Sequence, residues 1–170
     1  MIKKQRVTAI AFGSSDIYTY RLCLEACNYE VRTIWTGSKE ELLYTFSDAS
    51  ATDEIIIIDA HGDEKKGFVG EDETVTFAEI AASKGLEGKI VVSTSCYSGT
   101  EEFIRSFNSA EIKSYVAPVD GVTGPSSIIF ITNLFYQLNK TAFYPESDSS
   151  SWEEALKKAV KLSEGDWVVV

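Results

Sequence analysis

Glu54-Ile55-Ile56-Ile57-Ile58-Asp59-Ala60-His61-Gly62 holds four consecutive isoleucines, closed by an acidic residue, a histidine and a glycine. A short β-branched run suits a strand, and the lack of polar alternation suits one covered on both faces of a parallel sheet. The strand is expected from Glu54 to Asp59, with His61 two residues beyond its end. A second apolar run, Lys89 to Ser95, carries Ile90, Val91 and Val92 and leads directly into Cys96-Tyr97-Ser98-Gly99.

Outward from these two runs, strand-like and amphipathic stretches alternate. Val7 to Phe12, Tyr29 to Trp35 and Ser114 to Val119 read as further strands. Asp16 to Asn28 reads as a helix with Ile17, Tyr20, Leu24 and Cys27 on one stripe. Capping boxes at Ser38/Glu41, Thr76/Glu79 and Ser151/Glu154 open three more helices, the second ending near Gly85. Glu101 to Phe107 is a short helix. Ser126 to Leu138, apolar nearly all round, reads as a helix packed inside. Gly67-Phe68-Val69 and Thr74-Val75-Thr76 flank an acidic turn and predict a small hairpin. Pro145 to Ser150 is a polar loop, and Trp167 to Val170 is either an edge strand or the start of a further element. The class is α/β, one domain over residues 1–170, with a mostly parallel central sheet between two helical layers. Sites in such sheets form beyond the carboxyl ends of strands, near a change in strand order.

Composition narrows the chemistry. The chain has 170 residues, 44% hydrophobic, which supplies a full core without a disulfide or metal staple. Sixteen basic residues against twenty-six acidic ones leave a formal charge of -10. That surface disfavours nucleic acid and anionic membranes as partners. A single histidine removes mechanisms that need two imidazoles, including most zinc hydrolase sites, and no cofactor or metal is expected. Three cysteines, an odd number, point to a reducing compartment. The apolar stretch behind the charged Met1 to Arg6 is interrupted by Thr8 and ended by Gly13-Ser14-Ser15-Asp16, too short for a signal peptide. No run approaches the roughly 20 apolar residues of a membrane span. The expectation is a soluble, cytoplasmic domain.

His61 and Cys96 are the residues with chemistry to offer. The 29 residues between Asp59 and Lys89 suffice for a crossover holding a hairpin and a helix. If the two strands are neighbours, their ends lie about 5 Å apart and imidazole and thiol can meet. An imidazole can take the thiol proton, and later protonate a leaving amine. The Gly62 and Cys96 amides would serve as oxyanion donors. Ser98 and Gly99 would hold the turn into the next helix, whose N-terminus also favours thiolate. Taken singly, a strand-end cysteine is commonly a small buried hydrophobe and a lone histidine a loop residue; it is the pairing that points to catalysis. Cys23 and Cys27, four apart on a helix, read as core packing.

Ile55 to Gly62 resembles the apolar strand and His-Gly of the caspase-like cysteine peptidases. Val91-Val92-Ser93-Thr94-Ser95-Cys96-Tyr97-Ser98-Gly99 is similar to their second strand and nucleophile turn, close to the Asp-Ser-Cys-His-Ser-Gly of metacaspases. Tyr115-Val116-Ala117-Pro118 through Phe135-Tyr136 to Glu154-Ala155-Leu156 resembles the CHAT branch. The resemblance implies a caspase-like three-layer fold and peptide-bond hydrolysis, with His61 as general base and acid, Cys96 as nucleophile and Gly62 as oxyanion donor. Metacaspases carry an acidic residue two positions before the nucleophile, which selects a basic P1 side chain; here that position is Thr94. Asp120 would be a compensating carboxylate, or simply begins a turn with Gly121. The expected partners are a protein or peptide substrate, with a basic P1 residue as one reading, and a regulatory partner protein.

Other readings compete. Asp59-Ala60-His61-Gly62-Asp63 also resembles the first motif of calcineurin-like metallophosphatases, but one histidine cannot supply their two-metal site. Asp63, Glu64, Glu71, Asp72 and Glu73 read as a solvated acidic hairpin, although some members of the resembled group are regulated by calcium. A caspase-like domain that only binds or scaffolds is the main rival. A flavodoxin-like binding module with Gly121 to Ser127 as an anion loop is another, weakened by two glycines and no lysine.

Overall fold

The computed structural model describes residues 4–14, 16–148, 150–163 and 165–170; Met1 to Lys3 of the charged N-terminus, Ser15, and Ser149 of the polar loop lie outside them. The strands are β1 (Arg6–Phe12), β2 (Glu30–Thr36), β3 (Ile55–Asp63), β4 (Gly67–Val69), β5 (Thr74–Val75), β6 (Ile90–Ser93), β7 (Ser114–Pro118) and β8 (Trp167–Val169). The helices are α1 (Ile17–Ala26), α2 (Lys39–Ser47), α3 (Phe77–Ala81), α4 (Glu101–Ser109), α5 (Gly124–Leu138) and α6 (Trp152–Val160). The sheet runs β2-β1-β3-β6-β7-β8. All its pairs are parallel except β7 with β8, so the C-terminal run is an antiparallel edge strand. The fold is α/β, a mostly parallel sheet between two helical layers.

The four isoleucines show why this order holds. Successive side chains of a strand point to opposite faces. Ile55 and Ile57 pack with α1, α5 and α6 through Leu24, Phe130, Leu134 and Ala159. Ile56 and Ile58 pack with α2, α3 and α4 through Phe46, Ile80, Phe103 and Phe107. Ile56, Ile57 and Ile58 are wholly buried. Both edges of β3 are also occupied, by β1 (Val7 opposite Ile55) and by β6 (Ile58 opposite Ser93). After β1 the chain goes to one side for β2 and then to the other for β3, so the strand order changes at the carboxyl ends of β1 and β3.

Three expectations are corrected. β3 does not end at Asp59: it runs on to Asp63, because β4 pairs antiparallel with His61, Gly62 and Asp63. That partner is the near arm of a tight hairpin, and the polar His61-Gly62-Asp63 tail breaks the apolar run before reaching it. The helix opened by the Thr76/Glu79 capping box stops at Ala81 and resumes as a 3-10 turn, Lys84–Leu86. Gly85 in that turn sits on the end of α2, where a Cβ would come within 2.6 Å of the Phe46 carbonyl oxygen. At Ser38 only half a capping box forms: Ser38 Oγ accepts the Glu41 amide, but the Glu41 carboxylate takes the Gly37 amide at 2.6 Å. The Ser151/Glu154 box is complete. Among the described residues no helix is long and apolar enough to cross a membrane.

Burial of β3 on both faces makes its isoleucines costly to truncate. Ile57→Ala should lower the unfolding free energy by about 3 kcal/mol in urea denaturation. Leu22→Ala, at a side chain 68% exposed on α1, should change it by less than about 0.5 kcal/mol.

Candidate active site

β3 and β6 deliver His61 and Cys96 to the same end of the sheet. Continuing the register of Ile58 opposite Ser93 by three residues brings His61 level with Cys96. The junction is tight. A Cβ built on Gly62 would lie 1.9 Å from the Cys96 carbonyl oxygen and 3.2 Å from Ser95 Cβ. Only glycine lets the tail of β3 lie against this turn.

The turn itself is braced from below. The Ser98 hydroxyl lies 2.6 Å from the Ser95 carbonyl and 2.8 Å from the Ser93 hydroxyl, and the Ser95 amide donates to Ser93 Oγ. The Tyr115 hydroxyl donates to the Ser98 carbonyl at 2.8 Å. Burial holds that phenol well above its usual pKa, so it stays a donor. The Gly99 amide donates to the Pro118 carbonyl at 2.7 Å. Tyr97 takes up the left-handed region at φ +58°, a sparsely populated choice for an aromatic residue. Its amide donates to the Asp120 carbonyl.

Cys96 is half-buried and His61 exposed. No hydrogen bond joins them. Cys96 Sγ instead lies 3.4 Å from both the amide nitrogen and the carbonyl oxygen of Val122. The Cys96 amide has no acceptor among the described residues, and neither does the imidazole have a partner there. Asp120 is exposed and meets the turn through its backbone alone.

The carboxylate near Thr94 is Asp59. Thr94 is 6% exposed and its hydroxyl donates to Asp59 Oδ1 at 3.0 Å. Asp59 is 4% exposed, and its Oδ2 is buried without a hydrogen-bond partner among the described residues. Ser14 and the Ile17 amide approach the carboxylate but do not reach hydrogen-bond geometry with it. Burial pushes the Asp59 carboxyl above the usual range; the Ser14 and Thr94 hydroxyls pull it down, and the charge of Asp16 adds to burial. Tyr20 lies beside Asp59 and Thr94, and burial, then the Asp59 charge, raises its phenol pKa. Ser14 also lines a cavity of about 700 Å³ over the ends of β1 and β2, bounded by Trp35, Thr36 and the acidic turn Glu71-Asp72-Glu73.

Asp59 had a signal in the sequence: a charged residue closing a fully buried strand must end up buried itself, and such groups are costly unless paired. The Val122 contact is made by backbone, so no residue type announces it. Cys27 is a core residue: burial, then Cys23, pushes its thiol up to about 11. Among the described residues no three His, Cys, Asp or Glu side chains converge as a metal site would require.

Two outcomes follow from this geometry. Gly62→Ala should destabilise the fold by about 1–3 kcal/mol, measured by urea denaturation. Gly37→Ala, whose methyl would meet only a Glu41 side-chain oxygen at 3.5 Å, should be neutral within about 0.5 kcal/mol. For Asp59, a raised folded-state pKa means the folded protein holds the proton more tightly than the unfolded chain. Stability from this group is therefore present at low pH and lost as pH rises above the unfolded value of about 3.9. Asp59→Asn should be more stable than the parent at pH 7, with the gap closing as the pH falls toward 4.

No protein-family model matches the chain, and a search of curated proteins finds no significant match.

Proposed function

We propose that the protein is a cysteine endopeptidase that cleaves a protein or peptide through an acyl-enzyme, with His61 and Cys96 as its dyad. The observation that carries this reading is the Gly62–Cys96 junction, which keeps a thiol and the chain's single imidazole at adjoining strand ends. His61 accepts the Cys96 thiol proton as Sγ attacks the scissile carbonyl carbon. The negative oxygen of the tetrahedral intermediate is met by the Cys96 and Gly62 amides. Its collapse breaks the C–N bond, and the imidazolium gives its proton to the leaving amine. Water, deprotonated by His61, then attacks the thioester and releases the carboxylic acid and the free thiol. The Cys96 amide, without an acceptor among the described residues, supports the oxyanion role, and the exposed imidazole, without a partner among them, can turn toward the sulfur.

Asp59 supports a basic P1 side chain. A buried carboxylate with one unpartnered oxygen beside Thr94 is relieved by a guanidinium or ammonium group entering past Ser14. This moves the recognition role from Asp120 to Asp59, with Thr94 keeping its place. Three free cysteines fit a reducing, cytoplasmic setting. The rival, a catalytically silent binding domain, is favoured by one observation: the sulfur is hydrogen-bonded to Val122 and not to imidazole.

Labelling with peptidyl acyloxymethyl ketones, mapped by mass spectrometry, separates the readings. The parent should be labelled at Cys96, Cys96→Ala not at all, and His61→Ala about a hundredfold more slowly. A P1 arginine probe should outpace P1 leucine and P1 aspartate, and Asp59→Asn should erase that preference. Equal labelling of parent and His61→Ala overturns the dyad, and faster labelling by the acidic or apolar probes overturns the basic preference.

A further inference from the structure

The loop after β7 contains Gly121 to Ser127, the segment weighed above as an anion loop. In the fold it meets Cys96. Val122, two residues before α5, donates its amide to Cys96 Sγ at 3.4 Å, and the Val122 carbonyl lies 3.4 Å from the same sulfur. We infer that the anion served by this loop is the Cys96 thiolate, held by the Val122 amide at the positive end of α5. The inference rests on Cys96 being the nucleophile.

The two Val122 contacts serve the two states of the sulfur in turn. As a thiol, S–H donates to the Val122 carbonyl. Once ionised, the sulfur accepts the Val122 N–H, a charge-assisted hydrogen bond stronger than a neutral one. α5 has fifteen residues, long enough for a full macrodipole. Its first turn is otherwise mostly committed: Pro125 has no N–H, the Ser126 amide goes to the Thr123 hydroxyl, and the Ser127 amide to the Thr123 carbonyl. The loop is pinned to the turn by Tyr97, whose amide donates to Asp120 and whose hydroxyl lies where a Gly121 Cβ would be 3.3 Å away. The left-handed backbone at Tyr97 thus has a use: it turns Cys96 onto Val122.

Charged groups around the sulfur pull both ways. His61, at the end of β3, favours thiolate when protonated. Asp59 beneath Thr94, the Asp120 carboxylate in the loop, and Glu101 and Glu102 opening α4 oppose it. Asp16 is a further carboxylate at the start of α5, its Oδ2 2.7 Å from where a Gly124 Cβ would stand.

The test uses the purified chain and iodoacetamide, which the thiolate alkylates with loss of iodide. Val122→Pro removes the N–H and keeps the carbonyl, and Val122→Ala keeps both. Val122→Pro should slow Cys96 alkylation at pH 7 about tenfold and raise the midpoint of its pH profile by about one unit, with Val122→Ala matching the parent. A parent-like profile for Val122→Pro overturns the inference. Where Val122→Pro fails to fold, the parent decides: the Val122 amide proton resonance should shift downfield with the same pH midpoint as alkylation, and be static in Cys96→Ala. An amide resonance that does not follow the thiol overturns the inference. Failure here with His61-dependent labelling intact leaves the peptidase reading standing; the reverse pattern removes the dyad and keeps the thiolate contact.

Discussion

Everything at the carboxyl end of the sheet depends on β3 being enclosed on four sides. Its isoleucines are covered by α1, α5 and α6 on one face and by α2, α3 and α4 on the other. Its edges are bonded to β1 and β6. A strand so held has one available register, because a slip of one residue would exchange its faces and a slip of two would strand Asp59 among apolar side chains. The fixed register is what brings the tail of β3 alongside the turn after β6 and seats Gly62 on the Cys96 carbonyl.

From that junction the site is assembled by backbone as much as by side chains. The turn after β6 is braced by Ser93, Ser98 and Tyr115 from within the core, and by the Asp120 and Val122 backbone from outside. Its sulfur meets an amide offered by the approach to α5, while β3 brings the chain's single imidazole to the same end of the sheet. The buried carboxylate of Asp59 lies one hydrogen bond away through Thr94. A charge under that much desolvation is a cost to the fold, and functional sites are where proteins carry such costs. On the proposed reading, the group that relieves it is the substrate's own cation.

The sequence carried the fold class because burial on both faces leaves a visible mark. A run such as Ile55 to Ile58 has few other uses, and each helix cap is a local event between residues three apart. The single histidine narrowed the chemistry by counting alone, and His61 and Cys96 were legible as residues following two apolar runs, each with a glycine close by, although β3 runs on to Asp63 and β6 stops at Ser93. The full length of β3 was not legible, since its last three residues, His61-Gly62-Asp63, break the apolar run and are strand only because β4 folds back on them. Nor was the break after Ala81, which answers to the packing of Gly85 on α2.

What the sequence determined by itself was the set of elements, the two-faced burial of the central strand and the identity of the one imidazole and the strand-end thiol. These follow from side-chain type and local spacing. Only the tertiary structure decided which groups surround the sulfur. It put a backbone amide of Val122, twenty-six residues along the chain, on Cys96. It also gave the partner role beside Thr94 to Asp59 and left Asp120 in solvent. The physical reason is that a backbone dipole looks the same at every residue, and a carboxylate's surroundings are set by the elements packed upon it.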